Sequence, residues 1–260
     1  MMEERESFKP PLSRRIREVY APPIIFLIVI LGGWELAVSV FQVPRWLLPS
    51  PSGIFRQFFK SPDLWLHTRL TLTEAFLGFA GSAVSGILVA TLIAHSRFLE
   101  KGIFPFLVVA NSIPIVAIAP LLTIWFGFGL TPKIMIAMII TFFPIVTNTT
   151  RGLKAADYRI VEMMQSINAT PWQIIRKIEL PTALPYIFSA FKISLSLSLI
   201  GAVVAEFYGA DHGLGYLVIY SATQLETELL FLAILILAAT GVSVFLVFSW
   251  IESRFASWKG

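Results

Sequence analysis

The sequence predicts an all-α membrane protein with about six transmembrane helices, and three observations support this. Hydrophobic residues make up 56% of the 260-residue chain and charged residues only 14%, too little polar surface to cover a water-soluble globule of this size. Apolar runs of about 20 residues, the length that crosses a hydrocarbon core, recur along the chain. The basic residues gather in alternate connecting segments, as is typical of a multi-pass protein.

The chain starts with a polar, basic segment at residues 1–23, and the first apolar run follows at 24–42. The stretch AVSVFQVPRW at the end of that run is a poor cleavage site, so we expect a retained span and not a secretory signal peptide. Arg14 and Arg15 resemble a twin-arginine signal, but Arg17 and Glu18 stand where that signal needs apolar residues. We therefore interpret the segment as a basic cytoplasmic anchor.

Further apolar runs continue the pattern along the chain. Most of the 20 basic residues fall in one set of alternate connections, so we expect both termini in the cytoplasm. The first outer connection carries an amphipathic stretch, Ile54 to Phe59, that we expect on the membrane surface. The chain is then a single transmembrane domain, residues 1–260, with further spans predicted at 70–94, 103–126, 132–150, 183–206 and 229–251.

Two features of the predicted spans suggest a path for a solute. Pro114, preceded by Asn111 and Ser112, breaks the third span, and a broken membrane helix frees backbone groups that can line such a path. A packing kink satisfied by neighbouring helices is equally consistent with this pattern. Glu206 ends the fifth span, where it is either part of a gate or a surface charge.

Glu35 and Lys192 are ionisable residues inside the first and fifth spans. A bare charge at mid-bilayer costs at least ~2.5–3.5 kcal/mol, so each needs a partner or a wet cavity. Both lie about eleven residues past an inferred cytoplasmic boundary, or roughly 16 Å deep at the rise of an α-helix. We therefore expect these two residues to form an intramembrane ion pair.

Missing residue types and motifs exclude or disfavour several chemical functions. Cysteine is absent, which excludes disulfides and thiolate nucleophiles, and the three histidines are too far apart in sequence for a local metal motif. The sequence contains no GxxxxGK[ST] phosphate loop, and its basic residues do not concentrate on one element that would bind nucleic acid. We expect no catalytic residue, no metal or cofactor site and no nucleic acid partner on this chain.

Residues 162–181, EMMQSINATPWQIIRKIELP, separate the fourth and fifth spans and predict a helix-turn-helix. Apolar residues recur at three- and four-residue intervals from Ile160 to Ile167, which is typical of a short amphipathic helix. Asn168 follows, and asparagine readily adopts the left-handed conformation that ends a helix. The first helix is therefore expected to stop at this turn.

The second helix of this segment has a strong start signal. Thr170 suits the N-cap and Pro171 the first helical position, while Gln173 completes a capping-box pattern. We expect the helix to stop at Pro181 and to bury one stripe, formed by Trp172, Ile175 and Ile178.

The spacing of Glu162, Asn168, Ile178 and Leu180-Pro181 resembles the EAA loop of binding-protein-dependent ABC importer permeases. That loop has Glu-Ala-Ala, Gly and Ile-x-Leu-Pro at these positions. The chain departs from it with methionines for the alanines and asparagine for the glycine. Other segments resemble the nitrate, sulfonate and taurine branch, which also holds transporters of thiamine-precursor pyrimidines and riboflavin: LLPSPS at 47–52, AIAPLLTIWFGFG at 117–129, FFPIVTNT at 142–149 and AEFYGADHGLGYLV at 205–218.

The resemblance implies an inner-membrane permease subunit of an ATP-driven importer, which receives a small solute from an extracytoplasmic binding protein. It also implies that the cytoplasmic loop 151–181 docks on a separate ATPase, which binds the ATP, and that a second copy of the chain completes the transporter. From the residues alone, an ion-driven secondary transporter and an integral-membrane enzyme stay open. The residues that the resemblance assigns to ATPase coupling are Glu162, Met163, Met164, Asn168, Ala169, Trp172, Ile178, Leu180 and Pro181.

Overall fold

Each predicted apolar run forms a helix or a broken pair of helices in the computed structural model, which describes residues 12–255. All regular elements within these residues are helical. The predicted N-terminal anchor therefore lies partly outside the described residues. The helices are α1 (Leu12–Val40), α2 (Pro51–Lys60), α3 (Leu64–His95), α4 (Arg97–Ser112), α5 (Ile115–Phe126), α6 (Leu130–Lys154), α7 (Tyr158–Ser166), α8 (Pro171–Ile174), α9 (Leu180–Glu206), α10 (Leu214–Thr223) and α11 (Thr227–Phe255).

The number of membrane-crossing helices agrees with the prediction. Five helices are long and apolar enough to span a bilayer, and α4 with α5 makes a sixth if the bent pair counts as one span. This confirms the predicted all-α membrane fold with about six spans. The cytoplasmic location of the termini stays a prediction.

The centre of the fold is a bundle of α3, α6 and α9, which approach each other closely through small residues. A Cβ atom on Gly78 would stand 2.5 Å from the Cβ of Ala137, and one on Gly201 would stand 2.7 Å from the Cα of the same residue. Ser82 and Gly86, a small-xxx-small pair, are buried on the same face of α3, and the Thr141 hydroxyl on α6 donates to the Ser82 hydroxyl at 2.6 Å. Close backbone approach of this kind replaces the hydrophobic driving force that membrane helices lack.

The outer helices present apolar side chains to the surroundings of the bundle. The apolar side chains of α1 from Ile24 to Ile30 are all more than half exposed, as expected for a helix that faces lipid. At one end of the bundle, α2, α10 and α11 enclose a small apolar cluster around Ile54, Leu214 and Leu229. The amphipathic stretch in the first connection is therefore a helix that buries Ile54 and leaves three phenylalanines exposed.

The helix expected to stop at Pro181 continues, and that prediction is wrong. A π-helical turn over Ile175–Glu179 joins α8 directly to α9, in which Leu180 and Pro181 occupy the first positions. Proline is tolerated in the first turn of a helix, because the N–H groups there have no acceptor within the helix. The π turn changes the hydrogen-bond register immediately before Pro181. The fifth span is consequently one helical path from Pro171 to Glu206.

Candidate functional site

The connection between α6 and α9 forms a helical hairpin, α7–α8, defined here as residues 157–174. Asp157 caps α7 by accepting the Arg159 N–H at 2.9 Å, and Asn168 ends it with φ +58°. Thr170 and Gln173 form the predicted capping box, with the Thr170 N–H donating to the Gln173 side chain at 2.8 Å. The predicted helix-turn-helix is confirmed, and caps formed by its own residues hold the turn and the starts of both helices.

The hairpin exposes large apolar side chains, which is unusual for a segment this polar. Tyr158 is 69% exposed, Met163 59%, Ile167 68% and Trp172 67%. The expected burial of Trp172 is wrong, because the α8 residue that packs inward is Ile174, which is 6% exposed. An exposed apolar patch on an ordered element is typical of a protein-binding surface.

The opposite side of the hairpin is attached to the helix bundle. Met164, Ala169 and Ile178 are half-buried, so the residues of the predicted coupling set divide between an inner and an outer face. At the π turn, His95 Nε2 lies 2.8 Å from Glu179 Oε2, and His95 Nδ1 lies 2.8 Å from the Thr91 carbonyl. These contacts connect the end of α3 to the root of the hairpin.

Glu162 lies on the exposed face of α7. Its carboxylate makes no hydrogen bond or ion pair with any residue that the structure describes, whereas its backbone carbonyl accepts from the Ser166 hydroxyl at 3.0 Å. Leu180 and Pro181 are also exposed, next to the π turn. The carboxylate is therefore available to a donor on another molecule.

The third span is broken where Pro114 was predicted to break it. α4 and α5 meet at an angle of 97°, with Pro114 at the N-cap position of α5. Asn111 and Pro114 line a cavity of about 520 Å³ between these helices and α6. The Ser112 hydroxyl instead bonds to the carbonyl of Val108 at 2.9 Å and does not line this cavity. The cavity wall is otherwise apolar, with methionine and phenylalanine side chains from α6.

Glu206 is buried at 2% exposure, so the surface-charge alternative for this residue is wrong. Its carboxylate accepts the Thr71 hydroxyl at 2.6 Å and the Gly215 N–H at 2.5 Å. Glu74, which is 1% exposed, lies beside it and accepts from Lys133 Nζ at 2.7 Å. Two carboxyl groups and one ammonium group thus share a buried site between α3, α6 and α9.

Side chains from α3 and α9 hold the start of α10 through its first backbone amides. The Gly213 N–H donates to His67 Nδ1 at 2.9 Å and the Leu214 N–H to Thr71 Oγ1 at 2.8 Å, while the Gly215 N–H reaches Glu206. Gly213 has φ +120°, a conformation that favours glycine. The unpaired amides at the start of α10 are therefore satisfied by other helices, which fixes α10 to the bundle.

The loop before α10 carries an exposed acid next to a histidine. Asp211 is solvent-exposed, and His212 Nδ1 lies 3.2 Å from its carboxylate. The hydrogen bond from His212 lowers the pKa of Asp211. The His212 ring stacks on His67, with ring centroids 5.7 Å apart, and so connects this loop to α3.

The expected ion pair between Glu35 and Lys192 is wrong. Glu35 accepts the Ser52 N–H at 2.9 Å and the Ser52 hydroxyl at 2.8 Å, while Lys192 pairs with Glu252 on α11. Equal depth along two helices does not bring their side chains together: α1 packs mainly on α2, whereas α9 packs mainly on α6 and α3. Glu252 comes after the predicted end of the last span, so no intramembrane partner was expected there.

Sequence reasoning missed Glu74, Lys133 and Thr71 as members of one site. Glu74 could have been predicted as a site residue from the sequence, because an acidic residue inside an apolar run needs a partner or a function. Lys133 stands at the very start of the predicted span 132–150, and in the structure it lies in the first turn of α6, which starts at Leu130. The meeting of α3, α6 and α9 at these residues depends on helix packing that no local pattern reports.

Residues 82–257 match the family model described as "binding-protein-dependent transport system inner membrane component". The match covers well over half of the chain. The chain belongs to this family. This finding confirms the predicted resemblance to the ABC importer permeases.

Curated relatives of this permease transport chemically different solutes. The chain is 35% identical over 238 residues to the riboflavin transport system permease protein RibX of Chloroflexus aurantiacus, covering 90% of this chain and 89% of that protein. It is 32% identical over 239 residues to the formylaminopyrimidine transport permease protein ThiX of Halalkalibacterium halodurans, and this alignment covers 91% of this chain and 95% of that protein. It is 30% identical over 234 residues to the putative aliphatic sulfonates transport permease protein SsuC of Bacillus subtilis, and this alignment covers 89% of this chain and 85% of that protein.

Among solved structures, the permease is similar in fold to a chain of the MetNI methionine ABC transporter in an inward-facing conformation. The TM-score is 0.65 at 22% identity, and the alignment covers 75% of this chain and 98% of that chain. The likeness supports the helix arrangement described above. The family and the helices together make this chain a multi-pass inner-membrane permease subunit of an ABC importer.

Proposed function

We propose that this permease moves a small solute from an extracytoplasmic binding protein into the cytoplasm, driven by a separate ATPase that docks on the α7–α8 hairpin. One observation carries the docking assignment: a hairpin whose shape is fixed by its own caps exposes Met163, Ile167 and Trp172. Burial of such side chains against a partner is favourable, and the ordered backbone loses little entropy on docking.

The orientation in the membrane follows from the basic residues. Arg151, Lys154, Arg159, Arg176 and Lys177 all lie on or beside the hairpin, so the positive-inside rule favours a cytoplasmic hairpin and cytoplasmic termini. The cluster of Glu74, Lys133 and Glu206 then lies toward the extracytoplasmic end, together with α2 and α10. Closure of the ATPase would move the hairpin, and the continuous helix from Pro171 to Glu206 connects the hairpin to that cluster.

Reversing the charge of Glu162 tests the docking assignment. The tagged permease is purified in mild detergent from its native host, and the bound ATPase is quantified by mass spectrometry. Glu162→Arg is expected to lose most of the ATPase, because the carboxylate has no partner within residues 12–255 and is free to accept a donor from the ATPase. Glu226→Arg, an exposed acid near the opposite end, is the matched control. Equal ATPase recovery from both variants would contradict the proposal.

For the solute, the cavity at the break of the third span favours a heteroaromatic compound of the riboflavin or pyrimidine type over nitrate, taurine or a sulfonate. Asn111 supplies a polar group, while Met135, Met138, Phe142 and Phe143 supply apolar and aromatic surface. No lysine or arginine lines this cavity within the described part of the chain. An apolar site without a cation is costly for an anion, whereas aromatic rings and methionine suit a planar ring.

Uptake measurements separate these solute classes. Cells expressing the permease with its own ATPase and binding protein are offered labelled riboflavin, a labelled pyrimidine and a labelled alkyl sulfonate. Accumulation of a ring compound that falls in Asn111→Ala supports the assignment. Accumulation of the sulfonate alone would overturn it, and ATPase docking would be unaffected by that result.

A further inference from the structure

A polar cavity lies between α1, α2 and the start of α11, at the end of the bundle opposite the hairpin. Its volume is about 290 Å³, and three basic side chains line it: Arg45, Arg56 and Lys60. None of the three forms an ion pair with a residue described by the structure. Arg56 lies close enough to the Glu35 carboxylate to act on it electrostatically, and the three basic side chains together are suited to a phosphate group.

Two carboxylates also line this cavity, but they differ in their contacts. Glu35 is satisfied, since it accepts both the N–H and the hydroxyl of Ser52. Glu228, in the first turn of α11, receives no donor from any residue within 12–255, and it lies close to Gly53 at the start of α2. The cavity therefore presents one free acceptor together with three cations that make no direct ion pair.

The surroundings of the cavity are those of a lipid–water interface. On α2, Phe55, Phe58 and Phe59 are exposed and form a cluster of edge-to-face rings, adjacent on the helix to the face that carries Arg56 and Lys60. Trp46 is also exposed at this end, at 61%. Exposed aromatic residues at the ends of membrane helices lie at the level of the lipid headgroups.

The outer surface beside the cavity is apolar along α1. Leu36 and Val40 on α1 and Phe41 just after it are each at least 65% exposed, and Val40 follows Ser39, which lines the cavity. An acyl chain can therefore follow α1 while its headgroup enters the cavity. A soluble phosphate compound would make no use of this continuity between a charged cavity and an apolar helix face.

We propose that this cavity binds the headgroup of an aminophospholipid, with the phosphate on Arg45, Arg56 and Lys60 and the ammonium on Glu228. The ammonium of phosphatidylethanolamine donates N–H bonds that the trimethylated ammonium of phosphatidylcholine lacks, and phosphatidylglycerol has no ammonium. The three lipids share a phosphate and differ in what they offer Glu228. The proposal does not depend on which solute the permease carries.

Native mass spectrometry of the detergent-purified permease with an equal mixture of the three lipids tests this assignment. Phosphatidylethanolamine is expected to be retained about tenfold more than phosphatidylcholine, from one charge-assisted hydrogen bond. The double variant Arg56→Gln with Lys60→Gln is expected to lose this lipid, while Arg69→Gln, an exposed cation outside the cavity, keeps it. Equal retention of all three lipids by the unmodified permease would overturn the proposal.

A second variant keeps the test decisive if the double variant folds poorly. Glu228→Gln is expected to keep the total phospholipid bound and to reduce the preference for phosphatidylethanolamine over phosphatidylcholine to about threefold, because the amide oxygen still accepts an N–H bond but without the charge. An unchanged preference in this variant would refute the role of Glu228. Asp63→Asn, an exposed acid of the same end that lines neither this cavity nor the adjoining one, is the matched control.

Two competing occupants are distinguished by further measurements. Displacement of the lipid by millimolar inorganic phosphate as effectively as by added phosphatidylethanolamine would identify a free phosphate site and overturn the lipid assignment. If the basic residues of the cavity instead dock the binding protein, the double variant will bind lipid as before and will bind the binding protein more weakly. That result also overturns the proposal. Loss of lipid with unchanged affinity for the binding protein supports it.

Discussion

Replacement of Thr71 by valine is expected to release the start of α10 from the bundle while leaving the core volume almost unchanged. The Thr71 hydroxyl donates to Glu206 at 2.6 Å and accepts from the Leu214 N–H at 2.8 Å, and the residue is fully buried. Valine has the same branched shape but no hydroxyl. The substitution therefore removes two interhelix hydrogen bonds and little else.

The loss of stability in Thr71→Val is estimated from the two polar groups that lose the Thr71 hydroxyl as a partner. The Leu214 N–H becomes a buried donor without a partner, which costs about 1–3 kcal/mol, and Glu206 loses one of its donors at a comparable cost. We expect a total loss of about 3 kcal/mol, which lowers the thermal midpoint by about 6–12 °C for a chain of this size. The cost is local, so the amides of Gly213–Gly215 should exchange at least about thirtyfold faster, which corresponds to roughly 2 kcal/mol.

Thermal unfolding in detergent and hydrogen exchange at Gly213–Gly215 are the two assays. The control is Thr73→Val, because Thr73 lies on the exposed side of α3 and its hydroxyl bonds only to the Arg69 carbonyl at 2.8 Å. This control should change stability by less than about 0.5 kcal/mol. If Thr71→Val and Thr73→Val behave alike in both assays, the hydroxyl of Thr71 does not hold α10.

Three further experiments test the hairpin and the bundle. Asn168→Ala is expected to loosen the hairpin by about 1 kcal/mol because φ is +58° there, whereas Asn168→Gly should be neutral, and limited proteolysis of the hairpin distinguishes them. Gly201→Val is expected to abolish folded protein, because a Cβ would already stand 2.7 Å from a Cα atom of α6. Gly241 should tolerate alanine, because a Cβ there would stand 3.5 Å from its nearest neighbour. The yield of monodisperse protein after purification measures both effects. His95→Ala with Glu179→Gln should show a coupling of about 0.5–1 kcal/mol in a double-mutant cycle of thermal stability, and strict additivity would mean that the 2.8 Å contact contributes nothing.

Local chemistry in the sequence predicted the hairpin well. Asn168, Thr170 and Gln173 act within a few residues of themselves, so their caps depend on short-range geometry that the order of residues specifies. The break at Pro114 is local for the same reason, because the missing N–H and the fixed φ of proline act on its own turn. Predictions of this kind need no knowledge of the neighbouring helices.

Predictions that required knowledge of neighbours failed or were incomplete. Trp172 was expected to be buried from the spacing of apolar residues, but spacing identifies a stripe without saying whether a stripe faces the bundle or a partner. Glu35 and Lys192 were matched by depth alone, although depth does not determine which helices are adjacent. Glu206 was recognised as notable, yet its partners Thr71 and Glu74 come from a distant part of the chain.

The affinity of the purified ATPase for the permease in lipid nanodiscs tests the central claim that the α7–α8 hairpin is the docking surface. Trp172→Ala is compared with Trp65→Ala, since Trp172 is 67% and Trp65 73% exposed, and the two lie at opposite ends of the bundle. A tryptophan at the centre of an interface contributes at least about 2 kcal/mol, so Trp172→Ala is expected to weaken ATPase binding about thirtyfold. Trp65→Ala should leave it unchanged. Unchanged binding in Trp172→Ala, or an equal loss in both variants, would contradict the docking surface proposed for this permease.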